Sequence, residues 1–170
     1  YPEKEYYGEG VITRVLGAAG RPDVETQAVV LAYGLHEDFT EEAKEEARQS
    51  TSHFEETGDE NREDLTSTFI FTIDPPDARD FDDAINITYD SESQEWELGV
   101  HIADVASFVQ PDSELDKGAV ERGNSVYLPR HVVPMLPEVL SNGVCSLQEG
   151  VRRWAKSVFI RFDKKGKVIG

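Results

Sequence analysis

Residues 72–84, TIDPPDARDFDDA, decide how this chain is interpreted. The stretch holds five carboxylates and one cation: Asp74, Asp77, Asp80, Asp82, Asp83 and Arg79. Like charges a few ångströms apart raise one another's pKa values and destabilise the fold unless a counter-charge neutralises them. A divalent cation supplies that charge, and oxygen ligands without histidine or cysteine select Mg²⁺, Mn²⁺ or Ca²⁺ over Zn²⁺. The stretch therefore predicts a hard-metal site.

The apolar residues around the acids predict how the loop is held. Residues 68–74 are apolar on both faces, which is typical of a mostly buried strand, and this strand is expected to deliver Asp74 at its end. The next strand is expected to start at Ala84, so the intervening loop can bring the other acids back to Asp74. Pro75 and Pro76 fix φ in that loop and lower the entropy lost in holding the acids together.

Three other interpretations of the acidic loop stay open, although each is disfavoured. A loop that is merely hydrated would be polar throughout, whereas this one contains Phe81 and two prolines. A structural calcium loop needs glycine at its sixth position, where this chain has Ile85. A phosphatase with an aspartyl nucleophile would place Asp-x-Asp directly after the strand, but Asp74 is followed by Pro75.

Upstream of the acids, the sequence predicts a short strand, two helices and a linker. Residues 10–17 indicate a strand ending at Gly17, followed by an apolar helix over about 24–33. Thr40 is expected to cap a helix over about 41–53. Residues 51–65 have the composition of an acidic linker. Residues 37–64 carry twelve acidic and three basic side chains, a pattern typical of a solvated face.

Downstream, the pattern is that of hairpins and one short helix. Strands over 84–89 and 96–102 are joined by a polar turn, and a second hairpin is expected over 154–162 and from 167 onward. Ser113, with Asp116 three residues later, indicates a capped helix that ends at Gly123. The prolines at 129, 134 and 137 favour an ordered loop over a strand interior.

Length and composition limit the classes of protein to which the chain can belong. A chain of 170 residues with 38% hydrophobic content can bury a core, and it has neither an apolar run of about 20 residues nor a secretion signal, so a cytoplasmic location is expected. The single cysteine, Cys145, is interpreted as a small buried apolar residue. The net charge of −17 argues at first sight against nucleic acid, but it is concentrated in the acidic segment before residue 65.

The acidic stretch, together with HIADV, SVYLP and PMLPE after it, resembles the catalytic domain of the ribonuclease II/R family of RNB-domain exoribonucleases. Within that family, the resemblance is strongest to bacterial ribonuclease R. The resemblance covers residues 66–170 strongly. Residues 10–50 resemble more weakly the end of the family's second cold-shock barrel. The fold implied is α+β: the tail of an OB-type cold-shock barrel at 1–50, an acidic linker at 51–65, and the N-terminal part of the mixed-sheet RNB domain at 66–170, truncated at both ends.

The resemblance also implies a function: processive 3′→5′ hydrolysis of single-stranded RNA to nucleoside 5′-monophosphates. The cofactor implied is Mg²⁺, with Mn²⁺ as a substitute, and the partner is the 3′ end of single-stranded RNA, bound by a monomer away from membranes. Four aspartates occupy the family's metal positions: Asp74, Asp80, Asp82 and Asp83. Asp82 and Asp80 are the implied catalytic residues, and Tyr127 is the residue implied to pack against the 3′-terminal nucleotide.

Several residues keep two interpretations. Tyr127 is otherwise an ordinary core tyrosine, and His101 and Asp104 are expected to be structural, Asp104 as a cap. Arg122 and Arg130 either contact phosphates or form an ordinary surface pair. Two other functions stay open, a non-catalytic RNA-binding module and a metal-binding module. The 170 residues alone are expected to keep the metal ligands but to have little or no exonuclease activity.

Overall fold

The computed structural model describes residues 10–52, 54, 61–76 and 78–170, which form an α+β fold. The helices are α1 (Pro22–Ala32), α2 (Glu41–Ser52) and α3 (Glu114–Arg122). The strands are β1 (Asp83–Asp90), β2 (Glu95–Ala103), β3 (Val126–Leu128), β4 (His131–Val133) and β5 (Ala155–Phe162). A 3₁₀ turn at Val105–Ser107 and a wide helical turn at Val139–Val144 complete the elements.

The main sheet has three antiparallel strands in the order β1-β2-β5. β1 and β2 form the predicted hairpin, with Asp83 opposite Ile102, and β2 pairs with β5 so that Val100 lies opposite Val158. β3 and β4 form a separate two-stranded sheet, also antiparallel. The described part of the chain thus contains only antiparallel pairs, and the mixed sheet that the resemblance implies is not found there.

The predicted helices are confirmed, because their start signals are local. α1 begins at Pro22, two residues before the expected start. α2 is capped by Thr40, whose hydroxyl accepts from the Ala43 amide. α3 is capped by Ser113, which accepts from the Asp116 amide, and ends at Gly123, where φ is 76°.

Two predicted strands are wrong. Residues 10–17 form no strand, and Val11, Ile12 and Val15 are each more than 80% exposed. In residues 68–74 only Phe71 bridges to a neighbouring strand, at Ile85, and the stretch is not buried. A strand needs a partner, and apolar content in the sequence does not reveal whether one is within reach.

The proline-rich stretch is ordered, as predicted, but it is not only loop. β4 (His131–Val133) lies inside it, between Pro129 in the β3–β4 turn and Pro134 directly after the strand. The final hairpin is confirmed more fully, because the chain turns at Gly166 and Phe162 bridges to Val168.

The core lies between α2, α3 and the end of β2. Its buried members are apolar residues from five parts of the chain: Ala43, Ala47, Ala103, Phe108, Leu115, Leu140 and Cys145. The rings of Phe54 and Trp154 pack against it at its edge. Cys145 is buried as predicted, and burial raises the pKa of its thiol to about 12.

The predicted linker at 51–65 lies partly outside the described residues, which omit 53 and 55–60. Within the described part, Phe54 stacks edge-on against Phe108 and Trp154, so this stretch is not wholly solvated. Among the residues that the structure describes, no helix is long and apolar enough to cross a membrane.

Candidate active site

The acidic loop, residues 74–83, is held at both ends by the main sheet. Just before it, Phe71 exchanges two backbone hydrogen bonds with Ile85, at 2.9 and 3.0 Å. At its far end, the Asp82 carbonyl accepts from the Ala103 amide at 3.0 Å, and Asp83 is the first residue of β1. The loop is thus fixed where it enters and leaves the sheet.

The middle of the loop is held by a serine far away in sequence. Ser146 is fully buried; its hydroxyl donates to the Arg79 carbonyl at 2.7 Å and accepts from the Phe81 amide at 3.2 Å. The Leu147 amide donates to the Phe81 carbonyl at 2.8 Å. These three bonds pin the backbone on both sides of Asp80.

Three of the predicted aspartates lie close enough to the fourth, Asp82, to act on it electrostatically. The pKa of Asp82 is raised, first by partial desolvation and then by the negative charges of Asp80, Asp83 and Asp74. Asp82 nevertheless remains solvent-accessible, as do Asp74 and Asp83, while Asp80 is half-buried. The structure thus brings together the acids that the sequence singled out, with Asp82 repelled by the other three.

Tyr127 joins this group from the second sheet. Its hydroxyl donates to Asp80 Oδ2, and that bond is the main reason why its pKa is raised to about 12, with desolvation and the charges of Asp80 and Asp82 adding to the shift. The ring remains 62% exposed, so Tyr127 is not an ordinary core tyrosine. An accessible aromatic face therefore lies beside the acids.

The donor set suits a hard divalent cation, because all four acids offer oxygen and three of them repel the charge of Asp82. In the described part of the chain, however, no three acidic, histidine or cysteine side chains converge as a ready-made metal site. Closing these carboxylates around an ion therefore requires side-chain movement from their present positions. Asp77, the fifth acid, lies outside the described residues.

His101 is structural, as predicted. It is 3% exposed, its Nε2 lies 2.8 Å from Asn86 Oδ1 and its Nδ1 lies 2.8 Å from Ser157 Oγ. Desolvation lowers its pKa, which favours the neutral ring. The three side chains form a polar row across the sheet and take no part in the aspartate group.

Asp104 precedes the 3₁₀ turn as predicted, but its side chain does not cap that turn. It pairs instead with Arg62 Nη2 at 2.8 Å and accepts from the Ser107 hydroxyl at 2.7 Å. Burial alone would raise the pKa of Asp104, but these hydrogen bonds, with the charges of Arg62 and Lys156, hold it below its usual value. Asp104 is therefore a buried ion-pair partner.

The two arginines near Tyr127 differ. Arg122 is engaged within the fold: its guanidinium lies 4.1 Å from the centre of the Phe39 ring and donates to the Asp38 carbonyl at 2.7 Å. Arg130 is exposed in the β3–β4 turn, where φ is 63°. A phosphate contact by Arg130 stays a prediction.

The comparison with protein families decides the chain's membership. The RNB domain family matches residues 62–170, which is more than half of the chain and includes all four aspartates. The chain belongs to the RNB family. The resemblance carried by the acidic stretch and the three motifs after it is thereby confirmed.

The relatives and solved structures of this RNB protein agree. Ribonuclease R of Acidithiobacillus ferrooxidans is 41% identical over 170 residues, covering all of this chain and 38% of the relative. Ribonuclease R of Vibrio cholerae is 41% identical over 161 residues, covering 95% of this chain and 20% of the relative. Mycoplasma genitalium RNase R in complex with ribose-methylated single-stranded RNA superposes with a TM-score of 0.83 at 34% identity, covering 93% of this chain and 24% of that one. The RNB chain thus spans between one fifth and two fifths of these proteins.

Sequence reasoning missed Ser146 and Arg62. Ser146 contacts the acidic loop from 65 residues away, and Arg62 reaches Asp104 across 42 residues. Neither residue stands in a local pattern that points to its partner. The acids, by contrast, could be found from the sequence because they are crowded within ten residues.

Proposed function

We propose that the native protein containing this chain is a cation-dependent exoribonuclease that degrades single-stranded RNA processively from the 3′ end. The products are nucleoside 5′-monophosphates. The observation that carries the proposal is the aspartate group: four carboxylates of an RNB-family chain whose charges converge on Asp82. The complex of Mycoplasma genitalium RNase R with single-stranded RNA supports RNA as the substrate class.

The four aspartates are assigned roles according to their positions in the acidic loop. Asp74 and Asp83 are the direct cation ligands, at opposite ends of the acidic loop. Asp80 and Asp82 between them complete the ligand set, and Asp82 is the residue whose loss is expected to damage catalysis most. Bound Mg²⁺, or Mn²⁺ in its place, would neutralise the phosphodiester, activate water for in-line attack and stabilise the leaving 3′ oxygen. The remaining requirement for phosphoryl transfer is placement.

Tyr127 is proposed to hold the last nucleotide. Its exposed ring stands beside Asp80, so a base stacked on it would place its phosphate near the acids. Stacking of a base on an aromatic side chain contributes about 1–3 kcal/mol. The hydroxyl, already bonded to Asp80, fixes the tilt of the ring.

The 170 residues alone are expected to bind the cation but to degrade RNA poorly. The chain carries a net charge of −17, whereas RNA binding is driven by lysine and arginine. It also spans only a fraction of its ribonuclease R relatives, so the basic surface is expected in the remaining part. We expect the native protein to act as a monomer in the cytoplasm.

The test is the polarity and product of RNA degradation by the native protein. A single-stranded RNA with a 5′ label and a 3′ tail is incubated with Mg²⁺ or with EDTA. With Mg²⁺ we expect full-length RNA to disappear without long intermediates, leaving mononucleotides and a short labelled end product, and with EDTA no loss. Internal cuts or release from the 5′ end would contradict the reaction. Binding without degradation would favour a non-catalytic RNA-binding module, and cation binding without RNA affinity a metal-binding module.

A further inference from the structure

We infer that Ser146 is the positioning residue of the aspartate group: its hydroxyl sets the place of Asp80, although it touches neither RNA nor cation. The inference rests on the proposed function, because it assigns a role within that same site. Ser146 has no exposed surface, yet both hydrogen bonds of its hydroxyl are made to backbone groups of the acidic loop.

The two bonds fall on either side of one residue. The hydroxyl donates to the carbonyl of residue 79 at 2.7 Å and accepts from the amide of residue 81 at 3.2 Å. Asp80 lies between them, and its carboxylate is held separately by the Tyr127 hydroxyl. Its backbone and side chain are thus fixed by two different elements. Reacting groups must be held to within about 0.5 Å, which requires this kind of support.

Ser146 can serve as an anchor because it is itself immobile. Its amide donates to the Gly143 carbonyl at 3.1 Å, and its carbonyl accepts from Arg153 Nε at 3.0 Å. The preceding residue, Cys145, is buried in the core. Ser146 therefore links the position of Asp80 to the core and to the wide turn at Val139–Val144.

The alternative is that Ser146 only stabilises the fold, and a matched serine separates the two roles. The Ser107 hydroxyl also makes two side-chain hydrogen bonds, donating to Asp104 at 2.7 Å and accepting from Arg62 at 2.9 Å. It belongs to the Asp104 ion pair, and both its partners lie outside the acidic loop. Removing either hydroxyl should lower stability, but only the loss of Ser146 should loosen Asp80.

The experiment compares Ser146→Ala, Ser107→Ala and wild type in the native protein. Mg²⁺ alone is titrated calorimetrically without RNA, and kcat and KM for RNA are measured at saturating Mg²⁺. We expect Ser146→Ala to weaken Mg²⁺ binding by about tenfold or more, the usual effect of losing a group that orients a ligand. We expect kcat to fall more than KM changes. Ser107→Ala should lower the melting temperature while leaving Mg²⁺ affinity within about twofold.

Two further variants keep the test decisive. If Ser146→Ala does not fold, Ser146→Cys, of similar volume but weaker hydrogen bonding, takes its place with the same expectation. Unchanged Mg²⁺ affinity and kcat in the Ser146 variant, or an equal loss in Ser107→Ala, would overturn the inference. Asp82→Asn measured alongside separates the two claims. If Asp82→Asn abolishes degradation while Ser146→Ala behaves as wild type, only the role of Ser146 fails; if Asp82→Asn stays active, the proposed function itself is in question.

Discussion

Asp82 lowers the stability of the cation-free protein, because its carboxylate is partly desolvated and is ionised beside three other carboxylates. Its pKa is raised, so the folded state binds a proton more tightly than the unfolded chain does. The resulting destabilisation is absent below the unfolded-state pKa and is complete once the pH has risen above the folded-state pKa. At neutral pH it is therefore fully present.

Asp82→Asn is accordingly expected to stabilise the cation-free protein at pH 7, by about 0.5 kcal/mol because the side chain remains solvent-accessible. Thermal unfolding in EDTA at pH 7 and pH 3.5 measures the effect. The gain should shrink at the lower pH and disappear when wild type is given saturating Mg²⁺. A variant that is less stable than wild type at pH 7 would contradict the desolvation and charge repulsion inferred at Asp82.

Tyr127 offers a second test at this scale, because its ring and its hydroxyl have separate roles. Tyr127→Phe keeps the stacking surface and loses the bond to Asp80, whereas Tyr127→Ala loses both. In an Asp82→Asn background, where we expect RNA to be bound but not degraded, the affinity for a short oligoribonucleotide should fall about tenfold with alanine and less than threefold with phenylalanine. Fluorescence anisotropy measures both. Equal losses in the two variants would assign the effect to the hydroxyl.

The elements show which parts of the fold a sequence reveals. The capped helices were predictable because Thr40 and Ser113 bind amides three residues away. The strands predicted over 10–17 and 68–74 were wrong because pairing depends on partners that local apolar content does not show. The same limit applies to the site. The acids stand within ten residues and were found, whereas Ser146 acts across 65 residues and was not.

Gly99 in β2 tests the packing of the sheet. A Cβ there would lie 1.9 Å from Asn86 Oδ1 and 3.0 Å from His101 Nε2, so Gly99→Ala must break the buried hydrogen bond between those side chains. We expect a loss of about 2–4 kcal/mol in the free energy of unfolding. Gly118 in α3 is the matched control, because the atom nearest to a Cβ added there is Arg122 Nη1, at 3.5 Å. Gly118→Ala should stabilise the protein by about 0.5–1 kcal/mol through helix propensity. Urea unfolding of both variants measures these changes. A Gly99→Ala variant with the same free energy of unfolding as wild type would contradict this packing.

At the scale of the whole molecule, an ion pair joins residues that are far apart in sequence. Arg62, the first residue that the RNB family matches, pairs with Asp104, which directly follows β2. Arg62 bonds to Asp104, and its guanidinium lies 4.6 Å from the centre of the Trp154 ring. Asp104 is 4% exposed, so losing Arg62 would leave a buried carboxylate poorly compensated. The pKa of Asp104 is held low, so its ionised form stabilises the fold at neutral pH, and that contribution is lost as the pH falls through the folded-state pKa.

Arg62→Met is therefore expected to destabilise the protein by about 2 kcal/mol at pH 7 and by clearly less at pH 3. Urea unfolding at the two pH values measures the difference. Arg21→Met is the matched control, because the Arg21–Asp23 pair is 64% exposed on both sides. It should lower the free energy of unfolding at pH 7 far less than Arg62→Met does, because solvent screens an exposed pair. Equal losses in the two variants would show that burial of Asp104 has no energetic consequence.

The central claim is that the aspartate group performs cation-dependent RNA hydrolysis in the native protein. The most direct measurement is mononucleotide release from a 3′-tailed single-stranded RNA, with Mg²⁺ and with EDTA, by wild type, Asp82→Asn and Asp112→Asn. Asp112 is an exposed aspartate outside the group, so its variant controls for the loss of one charge. We predict Mg²⁺-dependent release by wild type and Asp112→Asn, and a loss of at least about a hundredfold in Asp82→Asn. Release that is unchanged in Asp82→Asn, or that persists in EDTA, would contradict the account.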